Sequence, residues 1–231
     1  MSILKAIIEF AMEMLETIVF VGSLFIVVYL FIIQPNQIKG ASMEPTFQDG
    51  NYIFTSKVTY KLRKPIRGDV VVFYAPRNPE LEYIKRIIGV PGDTVMIAGG
   101  EVYVNGVQIN EPYISNKTAI TLSGSISENQ PIIVQPDHYF VMGDNRPRSS
   151  DSREFGPIPS SSFVGQVFYR YFPLNEMGPV KNDFDKTVID SGSGGRAGGI
   201  PTARKKTSLS NEHWREESED GIWNTALVKF Y

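Results

Sequence analysis

The sequence contains no cysteine and only two histidines, His138 and His213, among its 231 residues. The absence of cysteine excludes a disulfide framework, a thiolate nucleophile and a metal site with cysteine ligands. Two histidines argue against a histidine-rich metal site. The formal net charge of −2 provides no basic surface for nucleic acid, so we expect no nucleic-acid partner.

Long helical patterns are also missing from the middle of the chain, residues 51–172. Short segments rich in β-branched and aromatic residues, bounded by Gly, Pro, Asn or Asp, predict strands there. Gly-Gly at 99–100 and Asn-Gly at 105–106 favour tight hairpin turns. The predicted fold is therefore mainly β, a small barrel or coiled sheet with antiparallel pairing. The predicted strands lie in NYIFTSKV, GDVVVFYAP, EYIKRIIGV, DTVMIAG, EVYVNGVQI, HYFVMGD and GQVFYRYF.

One long hydrophobic run is present, IVFVGSLFIVVYLFII at residues 18–33, and it carries no charge. As a helix it spans about 24 Å, and residues 14–17 extend it toward the roughly 30 Å of a bilayer core. A buried core helix is the alternative, whereas the acidic residues before the run argue against a cleaved signal peptide. We predict a retained transmembrane anchor over residues 17–34.

Residues 1–16 show apolar residues at helical spacing and predict an amphipathic segment that leads into the anchor. It would either lie in the membrane interface or extend into solvent. The charges around the anchor are acidic before it and basic after it. Read alone, this bias would place the following domain in the cytoplasm, although the rule is weaker for charges within folded domains.

Composition divides the chain after the anchor into a domain, a loop inserted in that domain, and a tail. Residues 35–180 are predicted to form a β-rich domain, and the polar stretch 115–131 reads as an inserted loop. From about residue 181 the chain becomes linker-like, with SGSGGRAGG, then basic, then acidic. We therefore expect residues 181–231 to form a mostly disordered tail, and the mildly apolar final stretch GIWNTALVKFY leaves open whether it docks on the domain.

Ser42 follows the anchor closely, and a serine hydroxyl becomes a nucleophile only with a base within hydrogen-bond reach. His138 is one candidate, but a single histidine at the start of a strand is typical of a structural residue. Lys85 is the other, because burial can lower the pKa of a lysine by several units. Strand alternation places it on one face with Tyr83 and Ile87. From spacing alone, an exposed strand lysine remains the alternative.

The loop GDNRPRSSDSREFG, residues 143–156, combines acids, arginines and serines within a short stretch. One interpretation is a polar turn rich in Asp, Asn and Ser. The other is a buried ion-pair scaffold that supports a site from below.

Together these segments resemble the type I signal peptidases, membrane-anchored Ser/Lys endopeptidases. SMEPT resembles the nucleophile box of that family, RGDVVVF the strand after it, YIKRIIGVPGD the lysine box and GDNRPRSSDSREFG the C-terminal box. The four boxes occur in order behind an N-terminal anchor and cover about residues 18–180. The resemblance implies a β-rich catalytic domain on a coiled sheet.

Site residues follow from the resemblance. It implies that Ser42 is the nucleophile and Lys85 the general base, with the Ser42 backbone N–H in the oxyanion hole. Some family members carry a serine donor two residues before the nucleophile, and Gly40 stands there in this sequence. The implied supporting residues are Ser149, which would hydrogen-bond and orient the lysine, and two ion pairs, Asp151 with Arg153 and Asp144 with Arg86.

The implied activity is removal of signal peptides from exported preproteins through an acyl-enzyme, after small residues at −1 and −3, without metal or cofactor. Expected partners are preprotein signal peptides, the lipid bilayer and the secretion machinery. The expected location is the cell membrane, single-pass, with the domain on the extracytoplasmic side. A Ser/Lys autoprotease and a membrane-anchored β scaffold with an inactive site are the alternatives. The presence of both Ser42 and Lys85 argues against the scaffold.

Overall fold

The computed structural model describes residues 2–118, 124–184 and 227–229. Its first element is helix α1, Ser2–Phe31, a continuous helix of 30 residues and about 45 Å. Most of the large apolar side chains described in α1 are exposed, and its part Ile3–Tyr29 is long and apolar enough to cross a membrane. Residues 2–16 and 17–31, which the sequence assigns to two segments, thus form one helix. The helix ends at Phe31, before the predicted boundary, because strand β1 begins at Ile33.

The rest of the described chain is mainly β. Helices α2 and α3, Thr59–Leu62 and Ser152–Phe155, are short, as are the 3₁₀ turns Arg146–Arg148, Ser160–Ser162 and Leu174–Glu176. The strands are β1 Ile33–Lys39, β2 Tyr52–Ser56, β3 Val70–Ala75, β4 Asn78–Gly89, β5 Thr94–Ala98, β6 Glu101–Val104, β7 Val107–Gln108, β8 Ile132–Ile133, β9 His138–Met142, β10 Ile158–Pro159, β11 Phe163–Phe172, β12 Gly178–Pro179 and β13 Leu227–Lys229.

The larger sheet has nine strands in the order β10-β9-β4-β13-β1-β2-β11-β12, and β3 pairs with both β11 and β4. Six of these strands form a closed ring, in which every pairing is antiparallel. The order around the ring is β4-β13-β1-β2-β11-β3 and back to β4. The smaller sheet has four strands, in the order β7-β6-β5-β8. The mainly β, antiparallel fold that the sequence predicts is confirmed.

The ring encloses a hydrophobic core, because alternate side chains along each strand point into the ring. Five of its strands each contribute to one buried cluster, which contains Ile38, Met43, Phe47, Ile53, Val70, Val72, Ile84 and Val167. A second cluster, around Val71, Phe73 and Ile87, lies on the opposite face of β3 and β4. Strand β4 contributes Ile84 to the first cluster and Ile87 to the second, so its consecutive side chains lie in two different environments.

The predicted strand segments all contain strands, and the two predicted turns join β5 to β6 and β6 to β7. Both turns need backbone with positive φ, which is 54° at Asn105 and 81° at Gly106. The described parts of the predicted loop 115–131 contain neither helix nor strand.

The expectation of a disordered tail needs a correction at its end. Residues 227–229 form strand β13 inside the larger sheet, where the strand pairs with β1 and β4. Phe184 is buried within the core beside the smaller sheet. The remainder of the predicted tail, residues 185–226 and 230–231, lies outside the described residues.

Candidate active site

Ser42 lies in the tight turn that follows β1, and its side chain is completely buried. The turn begins at Gly40, whose φ of 93° favours glycine and whose N–H donates to the Asp49 carboxylate at 2.6 Å. Asn145 fixes the backbone from the other side, because its N–H donates to the Ser42 carbonyl and its Nδ2 to the Ala41 carbonyl, both at 3.0 Å. The serine is therefore held on a rigid segment.

Lys85 reaches the same point from the middle of β4. Its Nζ lies 2.7 Å from Ser42 Oγ and donates to the Ile84 carbonyl at 2.9 Å. The side chain is fully buried, and the Tyr83 ring lies 5.5 Å from Nζ. Desolvation lowers the pKa of Lys85 to about 7, although the nearby carboxylates of Asp151 and Asp144 favour the charged form. At neutral pH a large share of this lysine is therefore an uncharged amine.

Arg86 and Asp144 form a buried ion pair beside the lysine. Arg86 Nε donates to Asp144 Oδ1 at 2.9 Å and Arg86 Nη2 to Oδ2 at 2.7 Å, a two-point contact between side chains that are almost fully buried. Thr46 Oγ1 also donates to Asp144, at 2.5 Å. This contact ties the turn that carries Ser42 to strand β4 and to the polar loop.

Asp151 and Arg153 form the second buried pair, inside the polar loop. Arg153 Nε and Nη2 each donate to the Asp151 carboxylate at 2.8 Å, and the Gly143 N–H donates to it at 3.0 Å. Burial alone would raise the pKa of Asp151, but Arg153 and these hydrogen bonds hold it below its ordinary value. The carboxylate therefore stays charged next to the Lys85 amine.

Ser149 lies close to Ser42 but makes a different contact from the predicted one. Its Oγ donates to Asp151 at 2.8 Å, whereas the polar partners of Lys85 Nζ are Ser42 and Ile84. A charged carboxylate is a stronger acceptor than an amine, so the hydroxyl turns toward Asp151. A methyl group at Gly143 would lie 2.2 Å from Ser149 Oγ and 2.5 Å from the Ser42 carbonyl oxygen. Only glycine fits between the two serines.

The structure thus brings together every predicted site residue: Gly40, Ser42, Lys85, Arg86, Asp144, Ser149, Asp151 and Arg153. The sequence reasoning missed the positioning contacts of Thr46, Gly143 and Asn145. Their residue types are common in turns, and no spacing signal distinguishes a turn residue that also contacts a site. His138 lies apart from this cluster, at the start of β9, with Nδ1 2.9 Å from the Pro136 carbonyl oxygen.

We predict that Asp144→Asn destabilises the protein by about 3–5 kcal/mol, because it removes the carboxylate that is hydrogen-bonded to the buried Arg86. Urea unfolding in detergent measures the change. The matched control is Arg77→Gln, which breaks the partly exposed contact with Glu154 and should cost at most about 1 kcal/mol. Equal losses in the two variants would contradict the view that the Arg86–Asp144 pair anchors the site.

Comparisons with known proteins show what the chain is similar to. The family model described as "Signal peptidase, peptidase S26" matches residues 11–172. The chain is 35% identical over 184 residues to a probable signal peptidase I-2 of Synechocystis sp., covering 78% of this chain and 81% of the relative. It is 36% identical over 178 residues to signal peptidase IB of Staphylococcus aureus, covering 71% and 92%. A crystal structure of a signal peptidase I from Enterococcus faecalis is 35% identical, covers 45% of this chain and 97% of its own, and gives a TM-score of 0.37.

Proposed function

The chain belongs to the peptidase S26 family of signal peptidases, and on this premise we propose that it cleaves signal peptides from preproteins with Ser42 as nucleophile and Lys85 as general base. Members of the family are serine peptidases, and helix α1 fits a membrane anchor. The observation that carries the proposal is the 2.7 Å contact between Lys85 Nζ and Ser42 Oγ inside a dry site.

In the first step the uncharged Lys85 amine accepts the Ser42 proton as Oγ attacks the scissile carbonyl. The hydrogen bond from Nζ to the Ile84 carbonyl orients the amine, and the lone pair of the uncharged amine can accept a proton from the serine hydroxyl 2.7 Å away. The lowered pKa, about 7, matches this task, because an ordinary lysine would be protonated and unable to accept a proton.

The following steps return the proton and release the acyl group. The Lys85 ammonium protonates the leaving amine, and the lysine then activates a water that hydrolyses the acyl-enzyme. The Ser42 backbone N–H is the proposed donor to the tetrahedral oxyanion. Gly40 has no side-chain hydroxyl and its N–H is bound to Asp49, so a second donor has to come from elsewhere.

The two buried ion pairs are proposed as positioning groups. Arg86–Asp144 joins strand β4 to the turn of Ser42 through Thr46, and Asp151–Arg153 holds the loop that contacts the serine backbone. Ser149 acts through Asp151 in this arrangement, and not by direct contact with the lysine.

The position of the site supports a substrate that is still held in the membrane. β1 begins two residues after helix α1 ends, and its seven residues span about 23 Å before the turn that carries Ser42. We propose that the domain lies on the extracytoplasmic side of the cell membrane, where exported preproteins emerge. The lipid bilayer and the secretion machinery would be its surroundings there.

The test is cleavage of a purified preprotein by the full-length protein in detergent. We expect one cut, after an Ala-x-Ala sequence, identified by N-terminal sequencing of the mature product. The matched control is the same preprotein with a bulky residue at −1, for which a small subsite should lower kcat/KM by roughly 100-fold. Equal cleavage of both substrates would contradict the proposed specificity, and cleavage of neither would contradict the proposed function.

A further inference from the structure

The C-terminal strand β13 closes the ring of the larger sheet. It lies between β1 and β4, with Ile38 and Lys39 opposite Val228 and Leu227 on one side. On the other side, Glu82 and Tyr83 of β4 are opposite the same two residues. Adjacent strands lie about 4.8 Å apart, so β1 and β4 without β13 border a gap that is one strand wide.

This gap leads directly to the proposed dyad. Lys39, which pairs with Leu227, comes three residues before Ser42, and Tyr83, which also pairs with Leu227, comes two residues before Lys85. The two walls of the gap therefore end at the nucleophile and at the base. An extended peptide that reaches Ser42 along these walls needs the backbone groups that β13 occupies.

We propose that residues 227–229 are an intramolecular occupant of the substrate gap, which a preprotein has to displace before it is cut. This inference rests on the proposed function. Strand addition explains the fit, because a gap between two strand edges accepts any extended backbone, and the segment of this chain that fills it is β13.

The direction of β13 indicates that it blocks the gap and is not itself cleaved. β1 runs from the membrane helix toward Ser42, and a substrate anchored in the same bilayer by its own signal peptide has to run the same way. A substrate strand would therefore be parallel to β1 and β4, whereas β13 is antiparallel to both. Because β13 runs in the opposite direction to a substrate strand, its backbone carbonyls are not oriented toward Ser42 as the carbonyls of a substrate would be.

The length of chain between Phe184 and Leu227 permits β13 to occupy the gap reversibly. About 40 residues separate Phe184 from Leu227, and an extended chain of that length reaches roughly 140 Å. Tethering gives a segment an effective concentration near the millimolar range, so even weak pairing competes with substrate. Three residues of pairing are few enough for a longer substrate strand to displace.

A cysteine pair tests the geometry directly, because the natural chain has no cysteine. Gln37 and Lys229 are register partners, so Gln37→Cys with Lys229→Cys should form a disulfide on mild oxidation. We expect the cross-linked protein to cleave preprotein at least about tenfold more slowly, and reductant to restore the rate. The two single-cysteine variants are the controls. Failure to cross-link, or unchanged cleavage by the cross-linked form, overturns the proposal.

Removal of residues 227–231 provides the second test. We expect KM for a preprotein to fall about threefold or more with kcat unchanged, as for loss of a tethered competitor. Val228→Thr, which keeps a β-branched residue in the strand, is the control and should behave as wild type. An unchanged KM, or loss of activity on truncation, overturns the proposal. If no form cleaves preprotein, the proposed function fails, while the cross-linking yield still decides where residues 227–229 lie.

Discussion

Replacement of Ser42 by alanine is expected to reduce preprotein cleavage by at least about 10³-fold while leaving the fold intact. The variant removes the side-chain oxygen that lies 2.7 Å from Lys85 Nζ, and Lys85 keeps its hydrogen bond to the Ile84 carbonyl. The loss should therefore appear in kcat and not in the urea midpoint. Steady-state rates and unfolding curves, measured on the same preparation, separate the two.

The control for this variant is Ser162→Ala, which removes a surface hydroxyl that donates to the Pro159 carbonyl and should retain full activity. If Ser42→Ala cleaves preprotein at the wild-type rate, Ser42 is not the nucleophile and the proposed function fails. A variant that loses activity together with its cooperative unfolding would instead assign Ser42 a structural role.

Lys85→Met is expected to reduce kcat by about 10³-fold or more, because it removes the base but preserves the length of the side chain. Stability is the readout that distinguishes a base from a structural lysine. A buried amine is costly to desolvate, so an apolar replacement of similar shape should leave the free energy of unfolding unchanged or increase it. The exposed Lys64→Met serves as the control and should change neither quantity.

The pH profile is the second readout of the same prediction. The pKa of Lys85 is lowered from its ordinary value of 10.5 to about 7, so the active, uncharged amine accumulates as pH rises through 7. We expect kcat/KM to rise with pH across that range and to level off above it. Between pH 7 and 10.5 the unfolded chain binds more protons than the folded one, so the contribution of this group to stability rises with pH. His138→Ala should leave the activity profile unchanged; if it removes the transition, a histidine is the base.

Much of the fold could be predicted from local sequence. β-branched and aromatic residues between Gly, Pro and Asn define β2 to β6, β9 and β11, because strands in a half-buried sheet need this alternation. β1 was not identified, since Gln34, Pro35 and Asn36 are poor strand formers and only its position between β2 and β13 makes it one. The short strands β8, β10 and β12 have two residues each, too few to show a period.

The candidate site shows the same division. Alternation places Lys85 on the face of Tyr83 and Ile87, but it does not show whether that face is buried, and the resemblance to signal peptidases supplied the pairing with Ser42. The lowered pKa depends on a dry environment that β3, the turn after β1 and the polar loop create together. Whether the Ser149 hydroxyl bonds to Lys85 or to Asp151 depends on differences of about 1 Å in the positions of these side chains. Spacing along the chain does not determine such differences.

By itself, the sequence determined the β class and the membrane-compatible N-terminal helix, because each depends on residue types within a short window. Only the tertiary structure decided that Ser42 meets Lys85 across 43 residues of chain and that Ser149 turns to Asp151. It also decided that residues 227–229 fill the gap between β1 and β4. The contact of Ser42 with Lys85 and the pairing of β13 join residues distant in sequence, and their positions follow from closure of the sheet.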